Sequence, residues 1–259
     1  MNFVRMMACV LLTTAGLGIC TGDLTAQGKF SSSTVKYKSG KETVSGYLCV
    51  PAGKGPFPGI MVIHEWWGLT PWVKEGAEKL AKEGYVTLAI DLYRGKVAET
   101  ADDAHQLMRG VPEDRAARDL KAAFEYLKGR KDVIPAKIGS VGWCMGGGYS
   151  LEAAVTIPEL SATVLCYGRL VTDSSAIAGI NASVLGIFGG KDKGIPPESA
   201  LDFESTAKGM KKDVNVTIYP DAGHAFMNPG NKEGYRGEDA EDAWARIIAF
   251  FDAKFHDHE

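Results

Sequence analysis

The sequence is short of cysteine, of net charge and of long apolar runs, and each shortage closes off a class of function. Its 259 residues carry a net charge of -3 and a pI near 6.0, which leaves no basic surface of the kind that holds nucleic acid. No apolar run reaches the roughly 20 residues of a bilayer-spanning helix, so no stable membrane insertion is expected once a leader is removed. There is no internal repeat, and no Pro/Ser-rich linker interrupts the chain beyond its first residues. The whole sequence has an ordinary globular composition, 45% apolar and 24% charged, and residues 27–259 read as one domain. Of the five cysteines, Cys9 and Cys20 fall in or beside the leader. The remaining odd set, Cys49, Cys144 and Cys166, leaves at least one thiol free in any compartment.

What is present begins with that leader. Arg5, an apolar run over residues 6–19 and small or polar residues over 21–27 follow the order of a secretory signal peptide. Residues 1–26 are expected to be cleaved near Ala26, with export to the periplasm or out of the cell. Lipid attachment at Cys20, after Leu17-Gly18-Ile19, and retention as an N-terminal anchor are the alternatives. Bulky Ile19 counts against the first and the shortness of the run against the second. In an oxidising compartment a Cys49–Cys166 disulfide is open to the chain; buried free thiols are the default for cysteines in apolar strand-like runs.

Residues 30–38 and 42–50 are rich in β-formers and flank Ser39-Gly40-Lys41, the signature of an antiparallel hairpin. After a break at residues 51–56 the pattern alternates. Apolar strand-like runs at 59–63, 85–90, 137–141, 162–166, 183–188 and 214–219 are separated by helical periodicities. The helices are expected at 72–82, 113–128, 145–156, 198–210 and 238–255. Leu120, Ala123, Phe124 and Leu127 share one helical face; Ala240, Ala243, Trp244, Ile247, Ile248 and Phe251 share another. The expected fold class is α/β: a mostly parallel sheet with an N-terminal antiparallel hairpin and helices on both faces. Residues 91–112 are the least regular stretch and are expected to line a pocket.

One junction carries chemistry. Ile138-Gly139-Ser140-Val141-Gly142-Trp143-Cys144-Met145-Gly146-Gly147-Gly148 runs from a buried strand into a helix. Its Gly-x-Cys-x-Gly core is the strand–turn–helix pattern that presents a nucleophile, with Cys in place of Ser. Such a turn is strained, so its neighbours must lack side chains. It also sets the thiol near a helix N-terminus, which favours a thiolate and an oxyanion. An ordinary buried cysteine in a glycine-rich turn is the alternative. The pattern requires an acid and then a base further along the chain. Asp192 follows the run 183–188 through Gly189-Gly190-Lys191, and His224 follows 214–219 through Pro220-Asp221-Ala222-Gly223. Both lie past the carboxyl end of a strand, where the loops of open α/β sheets build their sites. Asp221 is the rival acid, but at three residues from His224 it reads as a turn former. His105, in the irregular stretch, and His256 and His258, in the tail, are poorer bases. His64-Glu65-Trp66-Trp67-Gly68 follows the run 59–63, where this fold takes its second oxyanion N–H. Glu65 beside two tryptophans is expected to be partly desolvated, with its pKa raised; a solvated carboxylate beside core tryptophans is the competing reading.

These residues, together with Ala89-Ile90-Asp91-Leu92-Tyr93, Gly190-Lys191-Asp192 and Ala222-Gly223-His224-Ala225-Phe226, resemble the dienelactone hydrolase family of α/β-hydrolases. The resemblance spans essentially the whole chain after the leader. It implies a Cys144–His224–Asp192 triad, with Glu65 helping to form the thiolate. It also implies an oxyanion hole from the backbone N–H groups of Trp66 and Met145. The reaction implied is cleavage of a small ester or lactone through a thioester acyl-enzyme, with no metal and no organic cofactor. The same intermediate permits acyl transfer or thioester cleavage, and a silent binding module on the same fold is the reading from another class. A monomer or weak dimer is expected. Members acting on dienelactone hold the substrate carboxylate with arginines, one after the Asp-Leu-Tyr segment and one just beyond the base histidine. Arg94 fits the first position; Ala225-Phe226-Met227-Asn228-Pro229 supplies no arginine for the second. Trp66, Trp67, Trp72, Tyr93, Met145 and Phe226 suggest a broad apolar pocket, with Trp67, Tyr93, Arg94 and Phe226 as expected substrate contacts.

Overall fold

A computed structural model of the chain describes residues 29–256. The expected signal peptide, with Cys9 and Cys20, and the tail residue His258 lie outside the described residues. The chain opens with β1 (Phe30–Ser39) and β2 (Glu42–Pro51), an antiparallel hairpin that sets Ser39 opposite Glu42. Then follow β3 (Phe57–Ile63), α1 (Pro71–Lys82), β4 (Val86–Ile90), α2 (Ala101–Arg109), α3 (Glu113–Lys128) and β5 (Val133–Trp143). The second half holds α4 (Met145–Thr156), β6 (Ala162–Cys166), α5 (Ser174–Gly179), β7 (Ser183–Gly189), α6 (Pro197–Gly209), β8 (Val214–Tyr219) and α7 (Gly237–Phe255).

All eight strands join one sheet in the order β1-β2-β4-β3-β5-β6-β7-β8. β2 meets β4 antiparallel, and from β4 to β8 every pairing is parallel. Parallel strands are covered on both faces, which is why they read as unbroken apolar runs. Alternate residues part to opposite sides. Met61, Ile63, Leu88 and Leu165 pack with residues of α3, α4, α5 and α6, whereas Ile60, Val62, Ala89 and Val164 pack with α1 and α7. Each fully buried side chain of this size contributes about 1.5–3 kcal/mol. The strand order turns at β3, with β4 on one side and β5 on the other. That reversal opens a crevice at the carboxyl ends of β3 and β5, and the site forms there.

The irregular stretch expected at 91–112 contains a helix. α2 is started by a capping box in which the Thr100 side chain accepts from the Asp103 N–H and Asp103 reaches back to the Thr100 backbone. α2 buries only Ala104, so no apolar stripe announced it. The six-residue α5 was hidden for the same reason, burying only Ile177. β5 starts earlier than the apolar run because Val133 pairs with Phe57 at the opening of β3. Cys49 and Cys166 are both buried and free. They stand on β2 and β6 with β4, β3 and β5 between. Four strand spacings of about 4.8 Å put them far beyond disulfide reach. Among the described residues no helix is long and apolar enough to cross a membrane.

Candidate active site

The elbow after β5 fixes Cys144. Cys144 caps α4 with φ 54 and ψ -118, a conformation that a non-glycine residue holds only when its surroundings impose it. Its N–H donates to the Cys166 carbonyl of β6 at 3.0 Å, and its carbonyl accepts from Gly147 N at 3.0 Å. The flanking glycines are required by close approach. A Cβ on Gly142 would lie 2.0 Å from the Gly146 oxygen, and one on Gly146 would lie 2.2 Å from the Ile63 oxygen. The thiol is consequently held half-exposed over the first turn of α4.

The loops past β7 and β8 bring the expected partners to it. His224 Nε2 lies 3.1 Å from Cys144 Sγ, and His224 Nδ1–H donates to Asp192 Oδ2 at 2.7 Å. The other Asp192 oxygen accepts from Gly194 N at 2.8 Å and Ile195 N at 3.0 Å. Burial opposes the Asp192 charge, but the His224 hydrogen bond and those two N–H groups outweigh it and hold the carboxyl below its ordinary value. Burial also works against a charged His224, yet its bonds to Asp192 and Cys144 push it up to about 10. Tyr167 sets its ring edge-on to the imidazole at 5.3 Å. Asn231 Nδ2 donates to the His224 carbonyl at 3.1 Å. Asp221, the rival acid, is exposed and paired with Lys191 instead.

Glu65 is only 2% exposed. Burial pushes its carboxyl up to about 7, partly offset by Asn228 Nδ2, which donates to Oε2 at 2.6 Å. The same loop is pinned by His64. Its Nε2 accepts from Leu92 N at 3.2 Å, so the ring is neutral and Nδ1–H donates to the Glu65 carbonyl at 2.6 Å. Burial of the ring favours that neutral form. The Met145 N–H stands in the first turn of α4, where helix geometry gives it no intrahelical acceptor. Trp66 stands across from it on the loop after β3.

Two clefts meet at the thiol, one of about 950 Å³ and one of about 450 Å³. Cys144, His224 and Trp66 line both; Trp67 and Trp72 belong to the larger, Met145 and Tyr149 to the smaller. Three expected substrate contacts stand elsewhere. Arg94 pairs with Asp119 at 2.8 Å and Glu42 at 2.9 Å and lines neither cleft, because the buried Asp119 carboxylate demands a cation. Phe226 is fully buried between Tyr167 and Tyr219. Tyr93 is buried as well, and its hydroxyl donates to the Trp66 carbonyl at 3.0 Å and lies 3.3 Å from Met145 Sδ. Tyr93 therefore braces the two residues expected to form the oxyanion hole instead of lining the pocket.

Sequence reading missed Asn228 and Tyr167. Asn228 entered only as the lack of an arginine, and nothing local marks it as the partner of Glu65. Tyr167 takes φ 40 at the end of β6, lines the smaller cleft, and keeps a buried hydroxyl without a hydrogen-bond partner. Its one sequence signal is its position directly before Gly168, past a buried strand. Among the described residues no group of His, Cys, Asp and Glu is arranged to hold a metal.

Known proteins share this architecture. Residues 44–255 match the dienelactone hydrolase family. A Methylorubrum extorquens protein named "Putative carboxymethylenebutenolidase" is 35% identical over 222 residues, covering 80% of this chain and 76% of its own. Protein usf of Aquifex pyrophilus is 34% identical over 224 residues, covering 84% and 96%. The crystal structure of a dienelactone hydrolase-like promiscuous phosphotriesterase from metagenomic libraries superposes with a TM-score of 0.81 at 26% identity, covering 88% of this chain and 100% of that one. The chain belongs to the dienelactone hydrolase family and is a hydrolase acting on ester or lactone bonds.

Proposed function

We propose that the protein hydrolyses small carboxylic esters or lactones through a thioester acyl-enzyme. Cys144 is the nucleophile, His224 the base and then the acid, Asp192 the group that orients His224, and Glu65 a helper in forming the thiolate. The carrying observation is the hydrogen-bonded line from Asp192 through His224 to Cys144, 2.7 Å and 3.1 Å long, at the meeting of two clefts. Although burial opposes its charge, His224 is pushed up to about 10 by its bonds to Asp192 and Cys144, so it takes up a proton readily and stands 3.1 Å from the sulfur that must lose one. The thiolate adds to the carbonyl carbon, and the resulting oxyanion is met by the N–H groups of Trp66 and Met145. The carbon–oxygen bond to the alcohol then breaks as His224 gives its proton to the departing oxygen. Water, losing a proton to His224, attacks the thioester; the acid is released and the thiolate regenerated.

The test is hydrolysis of a fluorogenic short-chain ester by the wild type and by Cys144→Ala. The variant should lose about 10³-fold or more in kcat/KM; equal rates would sink the assignment of the nucleophile. The proposal also takes residues 1–26 as an export signal, supported by the order of charge, apolar run and small residues. N-terminal sequencing of the mature protein should begin near Gln27.

A further inference from the structure

We propose, resting on the active-site reading above, that the alcohol arm of the substrate is aromatic or similarly apolar and carries no carboxylate. The placement of that arm comes from the proton. His224 must return its proton to the departing oxygen, and the loop carrying His224 walls the larger cleft through Ala225, Asn228 and Asn231. His224 lines both clefts, but these loop residues wall only the larger, which assigns the alcohol arm to the larger cleft and the acyl arm to the smaller. At about 950 Å³ the larger cleft is at the upper end of the roughly 300–1,000 Å³ that holds a drug-sized ligand.

The walls of the larger cleft set its chemistry. Trp67 and Trp72 offer apolar aromatic surface, and Trp72 is itself backed by the buried Trp143 at 5.2 Å. The charged groups are Glu65, Glu75 and Glu233 against Lys232 and His224, and His224 already answers the Asp192 carboxylate at 2.7 Å. None of the three glutamates is held in an ion pair among the described residues, and Glu65 is buried, where a second negative charge is screened least. Exposed Lys232 is outnumbered by the three carboxylates, and the other groups that could offset an incoming carboxylate are committed. Arg94 is held by Asp119 and Glu42, and the Asn228 amide by Glu65. The smaller cleft differs, because Arg169 accompanies Glu113 and Glu152 there. The charge selection is accordingly confined to the alcohol arm.

The experiment uses two phenyl acetates bearing a para chain, 2-carboxyethyl in one and 2-carbamoylethyl in the other. The two-carbon spacer insulates the ring, so the phenols leave equally well and only charge differs. At pH 8 and low ionic strength, kcat/KM should favour the amide ester by about tenfold or more, with the gap narrowing in 0.5 M salt. Glu75→Gln should narrow it too. Trp72→Ala should raise KM for both esters; an unchanged KM would remove the arm from this cleft. If the carboxylate ester reacts as fast as the amide while Cys144→Ala is inactive, the charge selection falls and the active-site reading stands. If Cys144→Ala hydrolyses both esters like the wild type, the active-site reading falls and takes this inference with it.

Discussion

Cys144 and Cys166 are neighbours at the carboxyl ends of adjacent strands, and the N–H of one donates to the carbonyl of the other at 3.0 Å. Their chemistry nevertheless differs throughout. Cys166 is the last residue of β6, wholly buried, and its thiol is pushed well above the ordinary value, first by burial and then by the charge of Glu65. Cys144 is one residue past β5, turned by φ 54 out of the sheet and into contact with His224. One residue of backbone therefore separates an inert core sulfur from a candidate nucleophile. Residue type counts for less than exposure and a partner.

The comparison can be broken most severely at the partner. Asp192→Asn keeps the shape but removes the charge that holds His224 Nδ1–H in place. It should lower kcat by about 10³-fold, read in the same ester assay, while Cys166→Ala leaves kcat within a few-fold of the wild type. Loss of activity on altering Cys166, with Asp192→Asn unaffected, would reverse the roles of the two cysteines. A smaller contrast is expected in reactivity itself. Iodoacetamide should label Cys144 at least about 10²-fold faster than Cys49 or Cys166 in the native protein, as measured by peptide mass spectrometry. In denaturant the three rates should converge; equal native rates would mean that the elbow activates nothing.

The third outcome concerns Glu65, whose charge bears on the Cys166 thiol and which lines the larger cleft together with Cys144. Its carboxyl rises from 4.5 to about 7 on folding. Between those values the native state holds more protons than the unfolded chain, so stability falls as pH rises through that window. Glu65→Gln removes this penalty. The variant should exceed the wild type by about 2–3 kcal/mol in urea unfolding at pH 8, with the gap closing towards pH 5, and its acylation should be slower. A variant no more stable at pH 8 would show that Glu65 does not carry its charge in a desolvated site.

The fold was legible where elements bury a stripe or a face. Apolar runs marked β3 to β8, β-forming stretches around a glycine turn marked β1 and β2, and helical spacing found α1, α3, α4, α6 and α7 within a few residues. α2 and α5 escaped because each buries a single side chain, leaving caps as their only signal. At the site, the order Cys144, Asp192, His224 and the position of Glu65 were legible, since each lies within a few residues past the carboxyl end of a strand. The substrate wall was not. Arg94, Tyr93 and Phe226 carry the right chemistry at plausible positions, but each has a stronger claim on it from within the protein. A buried carboxylate takes Arg94, the Trp66 carbonyl takes the Tyr93 hydroxyl, and the aromatic core takes Phe226.

The sequence by itself determined the alternation of strand and helix, and with it the parallel sheet and the loops in which the reactive residues stand. These follow from local periodicity and from glycines that no other residue could replace at the elbow. Only the tertiary structure decided which side chains are free to act. That choice depends on partners far away in sequence: Asp119 for Arg94, and Asn228, 163 residues on, for Glu65. Burial makes every such partner obligatory, because an unpaired charge or hydrogen-bonding group inside the protein costs more than the contact it gives up outside.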